Sequence, residues 1–328
     1  MLYRGMDRAM LDAAYNNTAA VGPARREQYV ADWTTRSDAL RKARGGRIDL
    51  RYGDGARQRL DFFACGRPAA PTLVYIHGGY WQTNDKEPYA FLGEGVLSAG
   101  FNLAVIEYTL APAARLDQIV AEVRKAVAWV IEHAKELGGD PGRVFVGGHS
   151  AGGHLTAMAM NDARVAGGVA ISGIYDLEPI RFNYLNEKLG LDPAEAARNS
   201  PILHLPSRAA SLVVTVGLGE LPELIRQSEE YSAAWKRLGL SGPVPSAGRA
   251  RSLLDPRRAR ATRRSHPRGA ESARPGKALI PRAFSDRWSP RPKEPAAPQC
   301  PRPARSTRPG SAPVCLPCSS TTWPPTMT

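Results

Sequence analysis

Residues 144–154 read VFVGGHSAGGH, and the fold turns on how that stretch is parsed. Val144, Phe145 and Val146 make the β-branched and aromatic run of a buried strand, and the small residues after Ser150 open a helical pattern through residue 161. A strand that enters a helix through a glycine-framed serine predicts a sharp, strained turn. Such a turn presents the Ser150 hydroxyl at the helix N-terminus, where the helix dipole favours developing negative charge. The glycines have a steric reason: a Cβ at Gly148 or Gly152 would collide with the neighbouring strand or helix. The competing interpretation is an ordinary N-cap serine in a glycine-rich turn. The strand before it and the helix after it favour Ser150 as a nucleophile.

Outward from that turn, short apolar runs alternate with helical patterns between residues 47 and 240, as in the strand–helix units of a mostly parallel sheet. Strands are expected at 47–53, 59–65, 72–77, 102–108, 143–148, 167–173 and 211–217. The first two alternate in polarity across a glycine-containing loop, so they read as an antiparallel hairpin at the sheet edge. Helices are expected at 25–46, 115–137, 150–161 and 220–238. In the second of these, Ile119, Val123, Ala126, Val127 and Val130 recur at helical spacing and Gly138-Gly139 ends the run. Residues 174–210 contain no strand pattern and are expected to lie over the carboxyl ends of the strands as a lid or pocket wall.

Charge divides the chain. Residues 1–240 hold 27 of the 44 Lys plus Arg and 27 of the 31 Asp plus Glu, so the net charge of +13 belongs wholly to residues 241–328. Of the 28 prolines, 17 follow residue 240, as do Cys300, Cys315 and Cys318. So basic and proline-rich a segment, with few large apolar residues, cannot offset its ordering entropy by burial, and disorder is expected for 243–328. The folded unit is expected to span 1–242. The first residues show no secretory signal, no apolar run reaches spanning length, and the folded part holds the single cysteine Cys65. These point to a cytoplasmic protein.

A second chemistry-bearing stretch is VYIHGGYW at 74–81. His77-Gly78-Gly79 directly follows a strand, and its glycines let backbone N–H groups face a reacting centre. The candidate oxyanion donors are the amides of Gly78, Gly79 and Ala151. His77, Tyr80 and Trp81 are placed at a substrate pocket, with core packing equally open for Tyr80 and Trp81.

HGGYW (77–81), GHSAGGH (148–154), GELPELIRQSEEY (219–231), DAAYNN (12–17) and RYGDGARQRLDFF (51–63) together resemble the α/β-hydrolase superfamily. Within it the likeness is to the arylformamidase (kynurenine formamidase) type, akin to hormone-sensitive-lipase-like esterases, over roughly residues 7–242. The resemblance implies a three-layer α/β sandwich and a Ser, Asp/Glu, His triad in that chain order. Its substrates would be small carboxylic esters or aryl formamides such as N-formylkynurenine, cleaved through an acyl-enzyme without cofactor or metal. The family pattern puts the triad acid at Glu220, just after the strand at 211–217, with Asp176 and Glu223 as alternatives. Relatives of this type often pair, so a homodimer is one expectation.

The histidine is the departure. In the family it lies a few tens of residues after the acid, near 246–252, where this sequence has SAGRARS. Only His266 follows Glu220, in a run without strand or helix pattern. The composition from about Val244 onward matches out-of-frame translation of a GC-rich gene. The expectation is therefore that a frameshift replaced the last strand, the histidine loop and the last helix, leaving an impaired hydrolase or a non-catalytic relative. Reading the DNA around codon 244 in the other frames tests this. Nucleic-acid binding by the tail lacks aromatic interleaving and a folded module, and a zinc site at Cys315 and Cys318 lacks a second ligand pair.

Overall fold

A twisted seven-stranded sheet carries the site, with strand order β1-β2-β4-β3-β5-β6-β7. The structure is a computed structural model that describes residues 1–239. The expectations for 243–328, including the tail, the replaced strand and helix, His266 and Cys315/Cys318, lie outside those residues. The strands are β1 (Arg47–Arg51), β2 (Arg59–Phe63), β3 (Ala70–Ile76), β4 (Asn102–Ile106), β5 (Gly139–His149), β6 (Gly167–Ile171) and β7 (Leu212–Thr215). β1 and β2 form the expected antiparallel hairpin and β2 joins β4 antiparallel, while the remaining pairs are parallel. The helices are α1 (Arg8–Ala14), α2 (Asn17–Val21), α3 (Pro23–Arg44), α4 (Gly93–Val96), α5 (Leu116–Glu132), α6 (Ala151–Ala159), α7 (Asn186–Leu189), α8 (Pro193–Arg198) and α9 (Pro222–Arg237).

Burial follows the sequence pattern. Every residue of β3, β4 and β6 is buried, as continuous apolar runs covered on both faces require. Side chains alternate between two cores. Val74, Ile76, Ala104, Ile106, Val146 and Ala170 join Ile119, Val123, Val127 and Leu155 of α5 and α6 on one face. Leu73, Tyr75, Leu103 and Val105 meet Leu40 of α3 and Tyr89 and Phe91 of a 3₁₀ segment, Glu87–Leu92, on the other. These layers make the α/β-hydrolase sandwich expected from the sequence. α3 buries only Ser37 and Leu40 and most of its charges face solvent, while Arg41 reaches inward to the buried Asp61 (3.3 Å).

Two boundaries differ from the sequence expectation by more than two residues. α5 ends at Glu132 rather than 137, because a run of turns follows it to Gly138, and β5 begins earlier, at Gly139. Residues 174–210 form short helical pieces and no strand. α1 is bound to this segment: the Tyr184 amide donates to Asp12 Oδ1 (2.7 Å) and Arg8 pairs with Glu187 (2.8 Å). Among the described residues no helix is long and apolar enough to cross a membrane.

Candidate active site

The β5–α6 junction is a strained corner. Ser150 has φ 58° and ψ −121°, a backbone conformation that L-residues with a side chain rarely adopt. Its amide donates to the Ile171 carbonyl of β6 at 2.8 Å, which fixes the corner to the sheet. The flanking glycines are required as the sequence suggested. A Cβ on Gly152 would overlap the Ile76 carbonyl oxygen and reach within 2.8 Å of that of His77, and one on Gly148 would stand 2.6 Å from the Ile76 oxygen.

The HGG loop leaves the end of β3 and runs alongside this corner. A Cβ on Gly78 would come 2.6 Å from the His149 carbonyl oxygen and 3.2 Å from Ser150 Cβ, so only glycine permits the approach. Gly79 has φ 120°, and Tyr80 (49°) and Trp81 (60°) follow in the left-handed region. Three successive residues with positive φ need external support. The Gly78 carbonyl supplies one anchor, accepting from Asn84 Nδ2 (3.0 Å) and facing His77 Nδ1 (2.9 Å). Because the peptide is planar and trans, fixing that carbonyl aims the Gly79 N–H to the opposite side. Ala151 is the first residue of α6, where backbone N–H groups have no intrahelical acceptor.

His77 and Trp81, expected at a pocket wall, have fully buried rings engaged by protein groups. Trp81 Nε1–H donates to His154 Nδ1 (3.1 Å), and His154 Nε2 meets the Asn199 carbonyl (2.7 Å). Burial pushes the His154 pKa down to about 4, so the ring is neutral and carries its proton on Nε2, which leaves Nδ1 as acceptor. This bond ties the HGG loop to α6. Tyr80 is half-buried, and its hydroxyl donates to the Tyr15 carbonyl (2.7 Å), which also accepts from Tyr184 (3.3 Å). The N-terminal segment is thereby joined to both the loop and the 174–210 segment.

Glu220 follows β7 and stands before α9. Its Oε1 accepts from the Ser172 hydroxyl (2.9 Å) and lies 3.8 Å from His149 Nε2. Burial pushes this carboxyl up, but hydrogen bonding and charge from His149, with help from Ser172, outweigh it and hold the pKa below the ordinary glutamate value. Ser172 itself has φ 48°. The alternatives to Glu220 are otherwise occupied. Asp176 accepts from Tyr3 (2.7 Å), and Glu223 is paired with Arg226 (2.7 Å) and Tyr15 (3.2 Å).

Behind the loop, Asp85, Glu87 and Glu107 come close enough to suggest a cation site. They are met instead by protein cations: Arg57 at Asp85 (2.8 Å) and Glu107 (2.7 Å), and Arg59 at Glu87 (2.7 Å). Sequence reading passed over Glu107, Ser172 and Tyr15. Glu107 and Ser172 carry no motif signal, and Tyr15 lies in the DAAYNN stretch without a role readable there, since each acquires its role from a partner 30 or more positions away.

A model of the BD-FAE family matches residues 63–168, which include both glycine motifs. A kynurenine formamidase of Danio rerio is 34% identical over 208 residues, a match covering 59% of this chain and 70% of that enzyme. The chain belongs to the kynurenine formamidase family. Among solved structures, a protein of Silicibacter sp. TM1040 assigned provisionally as a thioesterase superposes with a TM-score of 0.64 at 31% identity, covering 71% of this chain and 89% of that one. An esterase from Pyrobaculum calidifontis shares the fold, with a TM-score of 0.54 at 21% identity over 66% and 82% of the two chains. The kynurenine formamidase family is thus a branch of the α/β-hydrolases, and its relatives here are hydrolases.

Proposed function

We propose that this protein is a serine hydrolase of small carboxylic esters or aryl formamides, N-formylkynurenine among them, working through an acyl-enzyme. Ser150 Oγ attacks the carbonyl carbon while its proton passes to a base. The amides of Gly78, Gly79 and Ala151 hold the oxygen that becomes negative. Collapse expels the alcohol or aryl amine and leaves the acyl or formyl group on Ser150, and water then releases the acid. Glu220 orients and compensates the base, a role that suits a carboxylate held below its usual pKa. No cofactor enters this route. The observation that carries the reading is the strained Ser150 corner with Gly78 packed against it.

In this proposal the base is either missing or His266, the one histidine after Glu220, which lies outside the described residues. Among the described residues the histidine that Glu220 meets is His149, and this favours a second reading, a non-catalytic relative that binds acyl ligands. Removing one triad member leaves about 10³–10⁴-fold catalysis over water, so activity well below that of an intact relative is expected. A fluorophosphonate probe decides between the two. Labelling of Ser150 that disappears in Ser150→Ala supports an activated nucleophile, and no labelling supports the second reading.

A further inference from the structure

We infer that Glu107 is a positioning residue for the oxyanion-binding amides, acting on the Gly78–Gly79 peptide through the ring of His77. The inference rests on the serine-hydrolase reading above and concerns the same site. Glu107 lies just past β4, fully buried, 30 positions from His77. Its carboxylate receives four donors: Arg57 Nη2 (2.7 Å), His77 Nε2 (2.9 Å), and the backbone amides of Lys86 (2.9 Å) and Tyr108 (3.1 Å). Burial alone would push this carboxyl up. His77, Arg57 and the Lys86 amide overcome burial and hold it below the ordinary value, so it remains an anion.

His77 has no freedom to respond except as a unit. Its ring stacks on Tyr108 at 4.3 Å, with Tyr89 at 6.0 Å, and the Tyr108 hydroxyl donates to the His77 carbonyl (2.9 Å). Both neighbours of the ring nitrogens are acceptors, and the ring spans them, one nitrogen at the Glu107 carboxylate and the other at the Gly78 carbonyl. The Gly78 carbonyl is the back of the peptide whose N–H, that of Gly79, is a candidate oxyanion donor, and Gly78 packs so close to the corner that a Cβ on it would stand 3.2 Å from Ser150 Cβ. Glu107 therefore fixes one end of a short rigid chain, and a candidate oxyanion donor is the other end. Donor placement matters most when negative charge has formed, so the consequence falls on the chemical step rather than on ligand binding.

The test is inactivation by an alkyl fluorophosphonate, followed by intact-protein mass. The Ser150 Oγ–P bond forms, the P–F bond breaks, fluoride leaves with the hydroxyl proton, and the phosphoryl oxygen occupies the oxyanion position. Glu107→Gln removes the charge and turns an amide towards donors. In His77→Asn the amide nitrogen replaces Nδ1 while nothing replaces Nε2, which cuts the same link from the other side. A lost oxyanion donor costs about 10²–10³-fold. For a misaimed one each variant is expected to lower kinact by roughly 10- to 100-fold with KI within about two-fold, and the double variant to be no worse than the weaker single. The inference is overturned if a variant with wild-type urea midpoint keeps kinact within about three-fold, if the loss appears in KI, or if the two losses multiply. If Glu107→Gln does not fold, His77→Asn alone decides; if neither folds, the link serves the fold and the inference is overturned. Wild-type protein that is not labelled, or labelling that survives Ser150→Ala, refutes the hydrolase reading itself. Normal labelling with unaffected variants refutes only the role of Glu107.

Discussion

Mild acid should loosen this fold through one side chain, His154. Its pKa falls from the ordinary 6.5 to about 4 because the ring is fully buried, with the charge of Arg124 adding to the fall and the bond to the Asn199 carbonyl only partly opposing it. The folded form therefore resists a proton that the unfolded chain accepts. Stability is complete above the unfolded value and is lost as pH falls from about 6.5 towards 4, since the unfolded state then binds more protons. At 1.36 kcal/mol per unit the full loss approaches ~3 kcal/mol, with about 2 kcal/mol of it gone between pH 7 and pH 5. Carboxylates such as Glu107 and Glu220, held below their usual values, act in the same sense, but their contribution is lost only as pH falls below the unfolded carboxylate range, so the two windows separate. Urea unfolding of wild type and His154→Gln at pH 7, 6 and 5 measures the effect. Wild type should lose about 2 kcal/mol more than the variant between pH 7 and pH 5. A gap between the two proteins that stays constant over that range would refute the neutral, acceptor His154 and with it the account of how Trp81 ties the HGG loop to α6.

The Ser150 corner and its acid give two further expectations. Gly152→Ala drives a methyl into the Ile76 carbonyl, a backbone group that cannot swing aside, and should cost about 3 kcal/mol or more, read as a lowered urea midpoint; a midpoint equal to wild type contradicts the close approach. Ser172→Ala removes the hydroxyl that donates to Glu220 and, if Glu220 is the triad acid, should slow turnover of a p-nitrophenyl ester by about 5- to 20-fold with little change in KM, since a hydrogen bond to a charged group contributes about 1.5–3 kcal/mol of which only part reaches the transition state. An unchanged kcat would separate Ser172 from the chemistry.

What the sequence determined by itself is the local part. The runs at 72–77, 102–108 and 167–173 became buried strands because unbroken apolar runs can be satisfied only between two covering layers. The glycines around Ser150 and after His77 announced the corner and the loop, because a missing Cβ is a local property that the chain states outright. Tertiary structure decided what supports them. Glu107 behind His77, Ser172 and His149 at Glu220, His154 beneath Trp81 and the Tyr15 carbonyl at Tyr80 are pairings across 30 to 73 positions. A buried carboxylate and a surface one are the same letter in the sequence. Only the packing of strands that are distant in the chain brings donors to one of them, removes water, and so sets its charge and the direction in which it holds its neighbour.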